Sequence, residues 1–251
     1  MPKLSVLIPI YNEKSTLREL MQRVQAAPVD KEIILIDDFS TDGSREILRD
    51  EIEGSAPNIQ VVYHDKNRGK GSAIRSGLQR ATGEIVIIQD ADLEYDPKDF
   101  TAMCKPFEEG AKVVYGARFK DHSAGHFLKL WTQNLFGAKH EIKRFHHFFG
   151  IHVLNVLANT LYGAGITDEA TCYKAFRREV LNSIPLRCTG FEFCPEVTAK
   201  LGLEGIPIVE VPIRYTARSA AAGKKVRWTD GISAIATLVK YRWNSHGRPS
   251  R

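Results

Sequence analysis

Short unbroken apolar runs alternate with helix-period segments through the first hundred residues. "LSVLIPI" (4–10), "EIILIDD" (32–38), "IQVVYHD" (59–65) and "EIVIIQD" (84–90) read as strands. Between them, residues 14–27 place Leu17, Leu20, Met21 and Val24 at helical spacing. "STDGSREILRDEI" (40–52) opens on Ser, Thr and Asp, the residues that cap helices, and "GSAIRSGLQRA" (71–81) reads as a third helix. Strands without strict alternation, separated by helices, predict an α/β fold: a mostly parallel sheet flanked by helices, in a single domain. In such sheets ligands bind beyond the carboxyl ends of the strands. That rule groups Pro9–Glu13, Asp37–Asp38 and Asp90–Asp92, since each set follows a strand.

The second half is less regular. Residues 97–110 read as a helix and 112–119 as a strand. Residues 120–150 are rich in His, Lys and Phe and show no period, which predicts a polar loop region. Residues 151–163 read as an amphipathic helix, 192–205 as a helix, 206–215 as a strand shortened by two prolines, and 228–243 as a last amphipathic helix with a basic end.

With 251 residues, 43% of them apolar, the chain is long enough to bury a sizeable core. Cys104, Cys172, Cys188 and Cys194 form no C-x-x-C pair, which argues for free thiols over a disulfide framework or zinc site. The opening residues do not read as a secretory signal, and no run of about 18 apolar residues predicts a spanning helix. The net charge of +5 hides an asymmetry. Residues 1–100 carry 13 Lys and Arg against 18 Asp and Glu, whereas residues 101–251 carry 22 against 12. A basic second half suits an anionic partner, or is a solvated lysine-rich surface.

The densest chemistry lies in "IIQDADLEYDP" (87–97). On an extended segment, residues two apart point the same way, so Asp90 and Asp92 can share one hard cation, with Glu94 as a third oxygen ligand. Open positions on Mg²⁺ or Mn²⁺ would suit a substrate diphosphate. The plain alternative is an acidic turn that caps a helix at Asp96-Pro97. "NRGKGSAIRSG" (67–77) fits neither a Walker A loop, because His64 and Gly71 stand at the wrong places, nor a dinucleotide fingerprint, because Ile74 replaces a glycine. Its Arg68 and Lys70, just before a helix, could approach a phosphate or be solvated turn charges. Six histidines between His122 and His152 lack zinc-site spacing and read as part of the polar loop.

Taken together, these segments resemble the inverting glycosyltransferases of family 2, which have the Rossmann-like GT-A fold. "LIPIYNE", "LIDDFSTDGS", "NRGKGSAIRSG" and "DAD" stand in that family's order and spacing. "QDADLEYDP", "YGARF", "TDEATCYKAFRREVL", "EVPIRYTAR" and "GKK" narrow the likeness to the polyprenyl-phosphate sugar transferases of the dolichol-phosphate mannosyltransferase type. The resemblance spans roughly residues 3–243. It implies one domain over 1–243, with a nucleotide-sugar-binding half (1–119) and an acceptor half (120–243), followed by a disordered basic tail (244–251).

It also implies roles. Pro9, Tyr11, Glu13, Asp37 and Asp38 would hold the base and ribose, and Lys70, Asp90 and Ala91 would contact the donor. Asp90, Asp92 and Glu94 would bind Mg²⁺ or Mn²⁺. Asp92, Arg118 and Arg218 would act at the reaction centre, with Lys224 beside them on phosphate. The implied activity moves a hexose such as mannose from a GDP- or UDP-sugar to a polyprenyl phosphate. A phosphate acceptor is already anionic near neutral pH and needs no strong base. Were the acceptor a glycan hydroxyl, Asp168 or Glu169 would be candidate bases, and otherwise these two read as a helix-capping pair. A non-catalytic nucleotide-sugar-binding protein is the alternative from another class, and no nucleic-acid motif is present. Two stretches, 145–163 and 228–243, could lie on a membrane surface or pack on the core. The expected location is cytoplasmic, peripheral to a membrane through the protein itself or a partner subunit. Two departures stand out: Phe39 where relatives commonly have Gly, and Cys194 where they often have Glu.

Overall fold

The computed structural model describes residues 3–118, 142–218 and 228–245. Its first strands are β1 (Leu4–Ile10), β2 (Lys31–Asp37), β3 (Ile59–Tyr63) and β4 (Ile85–Ile88). Helix α1 (Leu17–Ala26) follows β1 and stops before Pro28, which cannot continue it. Helix α2 (Ser44–Ile47) follows β2 and runs into a π-helical turn (Leu48–Ile52). Helix α3 (Lys70–Leu78) lies between β3 and β4. Then come α4 (Phe100–Glu108), β5 (Val113–Ala117), α5 (Ile142–Tyr162), β6 (Lys174–Arg177), α6 (Arg178–Ser183), α7 (Phe193–Leu203), β7 (Val209–Pro212) and α8 (Trp228–Ser245).

The described strands form one seven-stranded sheet in the order β3-β2-β1-β4-β6-β5-β7. β1 pairs in parallel with β2 and β4, β2 with β3, and β5 with β7, while β6 runs antiparallel to both β4 and β5. The sheet is therefore mostly parallel, as the apolar runs predict. Alternate residues of one strand enter opposite cores. Val6, Ile8, Ile33, Leu35 and Ile87 pack with α1 and α4, against Leu17, Leu20, Phe100 and Met103. Leu7, Ile34, Ile36, Val86 and Ile88 pack on the other face, with Ile74 of α3 and Phe193 and Val197 of α7. Burial of each such aliphatic side chain stabilises the fold by about 1.5–3 kcal/mol. That is why these strands show runs rather than alternation.

The structure departs from the sequence expectations at four points. β6 was not foreseen: four residues, two of them basic, carry no strand pattern. Its Lys174 is nonetheless fully buried, with its ammonium 3.4 Å from the Tyr115 ring centroid and donating to the Glu169 carbonyl at 3.2 Å. Because 174–177 is a strand, Asp168 and Glu169 cap no helix. The aperiodic stretch 120–150 is helical from Ile142 onward; its earlier residues lie outside the described ones. The last helix reaches Ser245, two residues beyond the expected end.

Glu196 fastens the helical layer. It is fully buried on α7 and accepts bonds from the Arg187 and Cys188 amides, at 2.9 and 2.7 Å, as well as from Lys200 and Tyr241 of α8. Burial alone would raise its pKa. The bonds from Cys188, Lys200 and Tyr241 outweigh burial and hold the pKa at about 2. A depressed carboxylate contributes stability above its unfolded pKa near 4.5 and loses it as pH falls toward 2. Glu196→Ala strands the Lys200 ammonium and should cost roughly 3 kcal/mol at pH 7. The cost should shrink in acid. Urea unfolding of both proteins between pH 7 and pH 3 measures it, and an unchanged midpoint at pH 7 would refute the role.

Candidate active site

The parallel strands β1, β2 and β4 all end on one side of the sheet, and their following loops surround a cavity of about 760 Å³. Pro9, Tyr11 and Glu13 line it from β1, Asp38 from β2, and Asp90, Ala91, Asp92 and Glu94 from β4. Lys70 enters from the start of α3, Arg118 from the end of β5, and Arg218 from the segment after β7. Eleven of the sequence-predicted site residues thus share one cavity. Asp37 does not reach it. Its buried carboxylate accepts from the Ser40 amide at 3.1 Å and from Arg45 at 2.6 Å, so it shapes the turn that carries Asp38. Lys224 lies outside the described residues.

The backbone is held in unusual conformations here. Asn12, Phe39 and Leu93 have φ of 53°, 66° and 63°, and each lies just past β1, β2 or β4. Asn12 ties the first two loops together, since its amide donates to Ser40 Oγ at 2.9 Å and its side-chain oxygen accepts from the Thr41 amide at 2.8 Å. A bulky residue such as Phe39 rarely adopts positive φ. Its ring is exposed and has the Arg45 guanidinium 5.3 Å away. Asp38 is buried and accepts from the Arg68 and Gly69 amides, at 2.8 and 2.7 Å, and contacts His64 Nδ1 at 2.7 Å. It therefore fixes the glycine-rich turn ahead of Lys70.

Among the described residues three cations face the cavity, each held by a carboxylate. Lys70 contacts Asp90 Oδ1. Arg118 makes a two-pronged pair with Asp168, both bonds 2.7 Å, and its guanidinium lies 4.9 Å from the Tyr215 ring centroid. Arg218 donates to Glu13 at 2.8 Å. Asp92 is pushed up to about 7, first by burial and then by the neighbouring Asp90 charge. Glu94 is turned toward other groups: its two oxygens accept from the Arg218 amide and the Tyr215 hydroxyl, both at 2.8 Å. Among the described residues no three His, Cys, Asp or Glu converge as a metal-binding group. Of the predicted trio, Asp90 and Asp92 are paired hard-oxygen donors that face the cavity. They fit Mg²⁺ or Mn²⁺, whereas Glu94 anchors the 215–218 segment.

The model of glycosyl transferase family 2 matches residues 5–184, well over half of the chain. The chain belongs to this family. Among related family 2 and similar sequences, a polyprenol monophosphomannose synthase from Mycolicibacterium smegmatis is 29% identical, over 98% of this chain and 88% of that protein. An undecaprenyl-phosphate 4-deoxy-4-formamido-L-arabinose transferase from Klebsiella pneumoniae (strain 342) is 37% identical, over 88% of this chain and 62% of that protein. The chain spans about half to three-fifths of the length of several curated relatives it matches. The fold matches glucosyl-3-phosphoglycerate synthase from Mycobacterium tuberculosis, solved with Mn²⁺, UDP and phosphoglyceric acid, at a TM-score of 0.65 and 20% identity, over 99% of this chain and 80% of that one.

Sequence reasoning missed several cavity residues, among them Tyr95, Cys172, Phe191 and Tyr215. Tyr95 stacks on Tyr173 with ring centroids 5.0 Å apart and lies 5.4 Å from Tyr215, so these rings hold the 215–218 segment over the β4 loop. The aromatic in "EVPIRY" was a signal, but nothing in the sequence pairs it with Tyr95.

Behind the cavity sits Glu169, fully buried, with neither carboxylate oxygen hydrogen-bonded. Burial raises its pKa to about 8, with Lys174 opposing the shift. A raised carboxyl favours the folded state below its unfolded pKa of 4.5, and that advantage is lost as pH rises toward 8. The full swing is on the order of 5 kcal/mol. Glu169→Gln should therefore flatten the fall of stability between pH 5 and pH 8 and leave the protein more stable at pH 8. Thermal unfolding across that range checks it, and parallel curves for the two proteins would contradict it.

Proposed function

We propose that this chain transfers a hexose, with inversion, from a nucleoside-diphosphate sugar to a polyprenyl phosphate. The observation that carries the reading is the meeting of two adjacent aspartates with Lys70, Arg118 and Arg218 in one cavity at the strand ends. Two phosphorylated substrates must approach each other there, and cations lower that repulsion. The relatives' names give the acceptor class, and the M. smegmatis relative is covered over most of its length. Mg²⁺ or Mn²⁺, held by Asp90 and Asp92, would offset the negative charge that grows on a departing diphosphate.

The chain's own residues supply the rest. Tyr11 and Asp38 receive the nucleoside between the β1 and β2 loops. Asp168 fixes the Arg118 fork, so the guanidinium is oriented before substrate arrives. Arg218 joins the β1 loop to the β4 loop, because its side chain bonds Glu13 and its amide bonds Glu94. Neither Asp168 nor Glu169 lines the cavity: one is locked to Arg118 and the other is buried behind it. The absence of an accessible base at those two positions favours a phosphate acceptor over a hydroxyl.

Transfer of labelled sugar from GDP-mannose and UDP-glucose to a short polyprenyl phosphate, with Mn²⁺ present, tests this. A lipid-linked product is expected from the wild type and none from Asp92→Ala. Arg118→Lys should lower kcat/KM by on the order of 100-fold. Donor hydrolysis without lipid product would overturn the acceptor, and no turnover of either donor would overturn the enzymatic reading.

The acceptor class also bears on location. No helix of the described residues is long and apolar enough to cross a membrane. Trp243 and Ile232 on α8 and Val156 on α5 are 74%, 56% and 46% exposed, and Lys240 and Arg242 lie beside Trp243. We infer that the face of α8 that carries Ile232 and Trp243 touches an anionic bilayer. Wild type should sediment with anionic liposomes, and Trp243→Ala combined with Ile232→Ser should sediment several-fold less. Equal sedimentation of both would remove this face from the account.

A further inference from the structure

Lys70 occupies a position with a consequence beyond phosphate contact. It is the first residue of α3, and the glycines on either side press against the 188–190 segment. A Cβ at Gly69 would lie 2.4 Å from the Thr189 carbonyl oxygen, and one at Gly71 would lie 2.8 Å from that of Cys188. The Ser72 amide also donates to the Thr189 carbonyl at 3.2 Å. The backbone here is closely packed, whereas the lysine side chain is long and has rotatable bonds.

That side chain lies between two cavity groups. Its ammonium contacts Asp90 Oδ1, and it lies 5.6 Å from the centroid of the Phe191 ring, which also faces the cavity. The side chains of Lys70 and Asp90 are only 12% and 15% exposed, so water screens the pair weakly. A divalent cation binding Asp90 must displace the ammonium or endure its repulsion at contact distance. A diphosphate entering the cavity offers the ammonium a better anionic partner and would draw it away from Asp90.

We propose that Lys70 couples the two binding events: it suppresses cation binding at Asp90 while the donor is absent, and releases that carboxylate when a nucleoside diphosphate arrives. This rests on the donor-site reading above. Coupling of this kind is reciprocal, and factors of about 5 to 150 are typical.

The test is Mn²⁺ affinity by calorimetry and by the Mn²⁺ spin-resonance signal, with and without GDP or UDP. Lys70→Met and Lys70→Gln remove the charge, and Lys70→Arg keeps it. In both neutral variants the nucleotide-free protein should bind Mn²⁺ about tenfold more tightly than wild type, and the enhancement by nucleotide should shrink. Lys70→Arg should stay close to wild type. Should Lys70→Met unfold, Lys70→Gln decides. Unchanged or weaker Mn²⁺ affinity in the nucleotide-free neutral variants would overturn the coupling role alone. Wild type that binds no Mn²⁺ even with nucleotide, or that binds it no better than Asp92→Ala, would instead overturn the donor-site reading, and the coupling role with it.

Discussion

Charge taken out of water must be compensated, and the cavity is organised by that constraint. Among the described residues, each of the three cations that face it is held by a carboxylate from a different part of the chain. Lys70 and Asp90 are 20 residues apart, Arg118 and Asp168 are 50 apart, and Arg218 and Glu13 are 205 apart. These pairs act as staples between loops that the sheet only brings near one another. The sheet supplies direction, because strands that run the same way deliver their following loops to one edge. The ion pairs then set how those loops face each other.

The same pairs place the site in a receptive state. A cation already bound to a carboxylate is oriented, and it can exchange that partner for a phosphate with little change of backbone. Arg118 differs from Lys70 in this respect. Asp168 grips it through two parallel bonds, so its fork is fixed, whereas Lys70 meets Asp90 through a single ammonium on a long stem. One is suited to holding geometry and the other to changing partners.

Much of the fold was legible because strands buried on both faces leave continuous apolar runs. β1, β2 and β4 are such strands, and their acidic ends pointed to Asp38, Asp90 and Asp92. β6 left no such trace, because its Lys174 is buried by packing its stem and stacking its ammonium on Tyr115, which no local pattern reveals. Asp37 lies outside the cavity, and Glu94 lines it but is engaged by other groups. Their carboxylates are oriented by Arg45 in one case and by Tyr215 and the Arg218 amide in the other, and such long-range partners are invisible to spacing. Glu169 was noticed as a carboxylate, but its burial without a hydrogen bond follows from tertiary packing alone.

The place of β6 in the sheet bears on how such a protein can be taken apart or recombined. β5 follows α4 in the chain, yet it reaches the sheet only by pairing with β6, which comes some sixty residues later and also closes the open edge of β4. A cut after β5 would expose the flank of β4 and leave β5 on one piece with both its partners, β6 and β7, on the other, giving unpaired strand edges of the kind that aggregate. The two halves are interleaved rather than modular. New specificity is therefore more readily introduced through loops at the strand ends than by exchanging one part of the chain for another.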